Sequence, residues 1–136
     1  MSDEDESVVR AAYEAYGQGE VNKLLELVHP ELEWTYLDPG MENPQPQTCH
    51  DREQLAWALG QQADHGLVSQ VEEIASSGDK VMVAVRTPGA DQRRAWRAED
   101  RSYLVMTMGR GRIVALRDFR DRDEARGFAG LGQRKR

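Results

Sequence analysis

The sequence of 136 residues lacks the features that mark secreted and membrane proteins. It has one cysteine, Cys49, so no internal disulfide can form, which is typical of a reducing compartment. No apolar run reaches the roughly 20 residues that a transmembrane helix needs. Residues 1–6 are acidic instead of apolar, unlike a secretory signal. We therefore expect a cytoplasmic protein that does not enter a membrane.

Basic charge and histidine are also scarce. The 18 Lys and Arg residues against 24 Asp and Glu give a net charge of −6, which argues against a nucleic-acid partner. The 3 histidines show no His-x-x-x-His spacing, so we expect no metal and no cofactor. The length predicts a single domain, 1–136, with a core over about residues 7–130 between a short acidic N-terminal tail and a basic C-terminal tail.

Helical periodicity marks the N-terminal half of the chain. Apolar residues at helical spacing predict an amphipathic helix over residues 7–18 and a second, short helix that ends at Pro30. Alternation of apolar and polar residues then predicts a strand over 32–36. A proline-rich loop over 39–49 separates this strand from a third helix.

From residue 67 onward the pattern favours strands. They are predicted over residues 68–76, 81–85, 93–108 and 113–120, with a marginal glycine-rich helix at 123–131. Trp96 and its neighbouring arginines indicate a partly exposed strand face, either a dimer surface or a solvent-facing one. Helices first and strands afterwards predict an α+β fold with an antiparallel sheet.

Three segments carry a family resemblance: residues 9–21, residues 27–39 and residues 111–121. In them the chain resembles the nuclear transport factor 2-like superfamily, in its SnoaL-like and ketosteroid isomerase-like branch. The resemblance implies a cone-shaped curved antiparallel sheet wrapped around N-terminal helices, the cystatin-like or ketosteroid isomerase-like roll. It also implies a pocket between sheet and helices, and a homodimer through the outer face of the sheet.

The resemblance implies three candidate catalytic residues. Asp38, in an Asp-Pro at the end of the first strand, is either a general base or a turn residue. Asp118, in an Arg-Asp-aromatic run, is either an inward acid–base group or the partner of a structural ion pair. Tyr103 stands where the isomerases keep an oxyanion donor, a role that a phenol can also perform. Registering the turn at Gly109 against those enzymes makes Val114, Leu116, Asp118 and Arg120 face the pocket.

Further residues are candidates for ligand contacts. The aromatic residues among them suit a flat apolar ligand, and His50 precedes the third helix near the expected pocket opening. The full predicted set is Tyr13, Trp34, Tyr36, His50, Trp57, Leu116 and Arg120.

Two specific chemistries of the resembling enzymes lack their residues here. The first-helix tyrosine of the steroid isomerases falls at Ala12, with Tyr13 about 100° away on the helix. The Arg-x-Asp pair of the epoxide hydrolases is missing from strand 81–85. The sequence favours a protein that binds a small apolar molecule. It is either an isomerase, cyclase or lyase that uses proton transfer, or a non-catalytic binding or dimeric interaction protein.

Overall fold

The computed structural model describes residues 2–37, 41–50, 52–64, 66–96 and 99–131. Four α-helices occur in these ranges: α1 Ser2–Gly17, α2 Val21–Glu26, α3 Arg52–Asp64 and α4 Arg122–Phe128. The six strands are β1 Val28–Tyr36, β2 Gln47–Cys49, β3 Gln70–Ser77, β4 Lys80–Arg86, β5 Arg101–Gly109 and β6 Arg112–Phe119. A short 3-10 helix, Ala90–Arg93, lies between β4 and β5. The basic C-terminal tail, 132–136, lies outside the described residues.

The six strands form one open sheet in the order β2-β1-β6-β5-β4-β3. The α+β class is confirmed, but the predicted antiparallel sheet is corrected to a mixed one, because β1 runs parallel to β6. A parallel pair needs a long crossover, and here the chain from α3 to β5 provides it. Strand β2 lies within the predicted loop over residues 39–49 and pairs with β1 from Trp34 to Tyr36.

Both faces of the sheet are covered, as β4 shows most clearly. All its residues from 81 to 85 are buried, because alternate side chains enter different cores. Val81 and Val83 point inward to a large core shared with α1, α2 and α3. Met82 points outward to a smaller core that also contains Ala125 of α4. None of the described helices is long and apolar enough to cross a membrane.

The C-terminal helix α4 is better supported than its glycine-rich sequence indicates. Asp121 caps its N-terminus by accepting a hydrogen bond from the backbone N–H of Glu124, at 3.0 Å. Arg122 forms a two-pronged ion pair with Glu73 of β3, with N–O distances of 2.8 and 2.7 Å. The Arg122 hydrogen bonds are the main reason that the pKa of Glu73 is lowered. Packing and this ion pair therefore fix α4 on the outer face.

The predicted strand over residues 93–108 is wrong in its first part, because β5 begins only at Arg101. The preceding segment folds over the cavity, and the backbone N–H of Thr87 donates to the carbonyl of Asp100 at 2.7 Å. Glu99 and Asp100 adopt left-handed backbone angles, with φ of 58° and 63°. Trp96 is only 5% exposed, which corrects the expected exposed strand face.

Candidate functional site

A cavity of about 520 Å³ lies between the helices and the inner face of the sheet. This volume is within the range of small-molecule sites. Most of the lining is apolar, including Leu24, Val28, Leu55, Leu104, Met106, Ile113 and Leu116. All three tryptophans of the chain also line it, namely Trp34, Trp57 and Trp96. The charged residues among the described lining are Asp118, Arg93 and Arg94.

A β-bulge in β6 decides which side chains reach this cavity. The register between β5 and β6 shifts after the pair Met108–Ile113, so that Val114 is skipped and Thr107 faces Ala115. Leu116 and Asp118 consequently face inward, as predicted, and line the cavity. Val114 was predicted to do so as well, but it is not among the lining residues.

Because of the same bulge, Tyr103 does not line the cavity. A regular ladder would place Tyr103 opposite Asp118, whereas in the shifted register Tyr103 pairs with Phe119 and Leu104 pairs with Asp118. Tyr103 then packs in the outer core beside Val105. Its predicted position at the pocket is therefore wrong, since a strand residue cannot serve both faces of the sheet.

Asp118 is the buried carboxyl group of the cavity. It retains some accessible surface toward the cavity but is shielded from bulk solvent. Burial is the main cause that raises the pKa of Asp118 to about 6, because the charged form loses hydration. The backbone N–H of Leu37, the indole of Trp34 and the charge of Arg94 act in the opposite direction. Asp118 can therefore exchange a proton near neutral pH.

The indole of Trp34 is aimed at this carboxyl group without a well-formed hydrogen bond. It is close enough to lower the pKa of Asp118. Its Nε1 is nevertheless buried without a partner of standard hydrogen-bond geometry among the described residues. The indole is thus a donor close to Asp118 without a hydrogen bond of standard geometry.

Tyr13 of α1 approaches the carboxyl group from the helical side. Burial is the largest cause that raises the pKa of Tyr13 far above its ordinary value, and the charge of Asp118 is the second. The phenol therefore stays protonated and available as a hydrogen-bond donor. The neighbouring Tyr16 is fixed by a hydrogen bond from its hydroxyl to the carbonyl of Leu67, at 3.1 Å. Tyr13 and Asp118 thus form the centre of the site.

Arg94 is a site residue that the sequence interpretation missed. Its side chain is only 8% exposed and forms an ion pair with Asp91, with Nη2–Oδ1 at 2.8 Å. Its Nη1 donates to Oγ of Ser102 at 2.9 Å, and its guanidinium stacks over Trp96 at 4.5 Å. The Asp-x-x-Arg spacing was the available signal, but the predicted strand over residues 93–108 included Arg94 and left Asp91 in the preceding turn.

The aromatic candidates line the cavity in two places. The rings of Trp34 and Tyr36 are in contact, with centroids 4.9 Å apart, on the β1 side. Trp57 of α3 also lines the cavity, yet it is 67% exposed and so lies at its mouth. These positions agree with the wall predicted for all three residues, while ligand binding by them stays a prediction.

Two of the remaining candidates, His50 and Arg120, do not line the cavity. His50 is exposed, with its Nδ1 4.0 Å from a carboxylate oxygen of Glu33. Arg120 is exposed as well and lies over Trp96, 5.6 Å from the ring centre, so it does not face inward as predicted. The alternation that turns Leu116 and Asp118 inward does not reach Arg120, because β6 ends at Phe119. Asp38 lies outside the described residues.

Comparison with known proteins defines the class first. The chain shares the fold of an NTF2-like protein of unknown function from Burkholderia pseudomallei, with 20% identity, a TM-score of 0.64, and 95% and 98% of the two chains covered. IdmH from Streptomyces antibioticus, a proposed polyketide cyclase, is 21% identical, with a TM-score of 0.65 and with 85% of this chain and 90% of IdmH covered. TerC, co-crystallized with polyporic acid, is 17% identical, with a TM-score of 0.60 and with 94% of this chain and 97% of TerC covered.

The family follows from the sequence match. The SnoaL-like domain matches residues 9–116, which is most of the chain. The protein belongs to this SnoaL-like family within the NTF2-like superfamily. Asp118 lies just beyond the matched segment. No curated protein of known function gives a significant match.

Proposed function

We propose that the protein is a small-molecule enzyme that moves a proton on an apolar ligand, with Asp118 as the acid–base group. One observation carries this proposal: a carboxyl group with a pKa of about 6 lines an apolar cavity. General bases work best when their pKa lies near the operating pH. Perturbed carboxyl groups in cavities are candidates for such work. The similarity in fold to IdmH, a proposed polyketide cyclase, is consistent with this class.

The chemical step follows from the donors around the carboxylate. Asp118 would take a proton from a carbon next to a carbonyl group, and the C–H electron pair would form the enolate, leaving its charge on the carbonyl oxygen. Tyr13 is protonated and could donate a hydrogen bond to that oxygen. Asp118 would return the proton at the same or another carbon. Isomerase, cyclase and lyase reactions share this first step.

Deuterium exchange tests the proposal without knowledge of the natural substrate. The probe is 2-tetralone, a flat ketone with acidic C–H groups, and the exchange of its hydrogens in D₂O is followed by NMR. We expect wild-type protein to accelerate exchange and Asp118→Asn to lose at least about 100-fold. Asp79→Asn, in the exposed turn between β3 and β4 and outside the cavity lining, is the matched control and should keep the wild-type rate. Wild-type protein no faster than buffer would overturn the proposal.

A non-catalytic binding protein is the second candidate. The observation that favours it is the number of aromatic side chains around the cavity, with Trp57 exposed at its mouth. Because all three tryptophans line the cavity, quenching of their fluorescence would report binding of 2-tetralone. Quenching without exchange would favour this second function over the enzyme.

We also propose a homodimer through the outer face of the sheet, in the cytoplasm. Helix α4 already covers part of that face over β4, β5 and β6, which leaves the portion near β1 and β2 for a partner. Light scattering coupled to size exclusion would measure the mass. A mass near the 15.4 kDa of one chain would contradict the dimer.

A further inference from the structure

The rim of the cavity differs in character from its interior. Of the described residues that line the cavity, four are exposed to solvent, namely Gln54, Trp57, Gln61 and Arg93. The other described lining residues are buried or half-buried, and most of them are apolar. Any part of a ligand that stays outside the apolar interior therefore lies beside these four side chains.

Helix α3 supplies three of the four rim residues on a single face. Gln54, Trp57 and Gln61 stand at positions i, i+3 and i+7, which lie on the same side of an α-helix. The indole of Trp57, which is 67% exposed, offers a flat apolar surface, and each glutamine amide offers N–H donors. This face of α3 suits a flat molecule that carries a hydrogen-bond acceptor at its solvent end.

Arg93 gives the rim its charge. It ends the 3-10 helix Ala90–Arg93 and is exposed, and no ion pair or hydrogen bond joins its side chain to another described residue. The neighbouring Arg94 is by contrast almost fully buried, at 8% exposure, and its charge is balanced by Asp91 at 2.8 Å. Within the described lining, Arg93 is thus the cation that remains open to a ligand.

Negative charge in the described lining is confined to Asp118. This residue lies on the inner face of β6, whereas Arg93 comes from the segment that follows β4, and β5 stands between these two strands in the sheet. A carboxylate in the interior would be repelled by Asp118, because like charges in an apolar site disfavour each other. The distribution of charge therefore favours an anionic group at the rim and an uncharged, apolar part in the interior.

We propose that the ligand is a carboxylic acid with a flat ring system, whose carboxylate binds Arg93 at the rim while its rings pass Trp57 into the cavity. The planar guanidinium of arginine matches a carboxylate in a two-pronged arrangement, and aromatic rings pack well on an indole. This inference deepens the proposed function by naming the substrate class, and it rests on that function only for the chemical step. Arg93 and Trp57 contact the ligand away from the reacting carbon atom.

Two probes of equal shape separate the charge from the ring system. 2-Naphthoate is ionised at pH 7 and 2-naphthamide is neutral, and neither has an acidic C–H group for Asp118 to deprotonate. Isothermal titration calorimetry at low ionic strength, where screening is weak, measures their dissociation constants. We expect wild-type protein to bind 2-naphthoate about fivefold more tightly than 2-naphthamide. The net charge of −6 acts against this preference, so a local cation is needed to produce it.

The variants assign the preference to one side chain. Arg93→Gln should weaken 2-naphthoate binding by about fivefold and leave 2-naphthamide within about twofold of wild type. Arg93→Lys keeps the charge but not the two-pronged geometry, and should retain a preference of at least about twofold. The matched control is Arg86→Gln, at the exposed end of β4 and outside the cavity lining. It removes the same charge and should keep the wild-type preference.

Equal affinity of wild-type protein for the two probes, or no measurable binding of 2-naphthoate, would overturn the inference. Equal losses in Arg93→Gln and Arg86→Gln would overturn it too, because the preference would then come from the overall charge of the protein. The exchange assay keeps the two proposals apart. If wild-type protein does not accelerate exchange, the proposed function fails, while the titrations with these unreactive probes still decide the class of ligand.

Discussion

The two faces of the sheet use carboxyl groups in opposite ways. On the inner face, Asp118 is held in an apolar cavity where burial raises its pKa to about 6. On the outer face, the Glu73 carboxylate accepts hydrogen bonds from Nε and Nη2 of Arg122, and these hydrogen bonds lower the pKa of Glu73. The outer carboxylate stabilises the fold through α4, whereas the inner one costs stability when it is charged. This contrast separates a structural ion pair from a candidate site.

The largest expected effect concerns the inner carboxyl group. Because the folded-state pKa of Asp118 is raised, the native protein loses stability as the pH rises from the unfolded value near 3.8 to about 6. The loss amounts to at most about 3 kcal/mol. Asp118→Asn should therefore be more stable than wild type at pH 7, and equal to it below pH ~4. Urea unfolding at several pH values measures the difference, and a gap that does not vary with pH would contradict the burial of Asp118.

A smaller effect of opposite sign is expected on the outer face. Since the pKa of Glu73 is lowered, its stabilising contribution is present above its ordinary value of 4.5 and is lost as the pH falls through the lower folded value. Glu73→Gln should cost about 1 kcal/mol at pH 7, because a partly exposed ion pair is screened by solvent. Glu72→Gln on the same strand, whose carboxylate pairs with Arg101, is the control. Equal losses for both variants would show that the contact with α4 adds nothing.

The smallest effect tests the register of β5 against β6. Tyr103 lies in the outer core, so Tyr103→Phe should leave 2-tetralone exchange within about twofold of wild type. Tyr13→Phe removes a donor beside Asp118 and should slow exchange by about 10-fold or more. A larger loss for Tyr103→Phe than for Tyr13→Phe would place Tyr103 at the cavity and contradict the bulge.

Hydrophobic periodicity was sufficient to predict the class of the fold. The continuous apolar run in residues 81–85 follows from burial on both faces of the sheet, whereas the helical spacing in α1 follows from burial of one face of the helix against the inner core. Hydrophobic periodicity does not predict the short strand β2 or the parallel pairing of β1 with β6. Strand β2 covers only Gln47–Cys49 and is mostly exposed, so no apolar pattern marks it.

The candidate site was predicted in part. Asp118, Leu116 and the aromatic wall line the cavity as predicted, and the two-residue alternation of β6 is regular from Leu116 to Asp118. Tyr103 and Val114 were misplaced by one bulge, which takes Val114 out of the ladder and moves by one residue the β5 partner of each later β6 residue. Arg94 was missed because its segment has no periodic pattern, and its contacts depend on residues that meet only in the folded chain.

The pH dependence of deuterium exchange into 2-tetralone tests the central claim most directly. If Asp118 is the base, the rate with wild-type protein should rise with a midpoint near its pKa of about 6 and level off above it. This rise should be absent in Asp118→Asn. A wild-type rate equal to that of buffer, or the same pH profile in Asp118→Asn, would contradict Asp118 as the catalytic group.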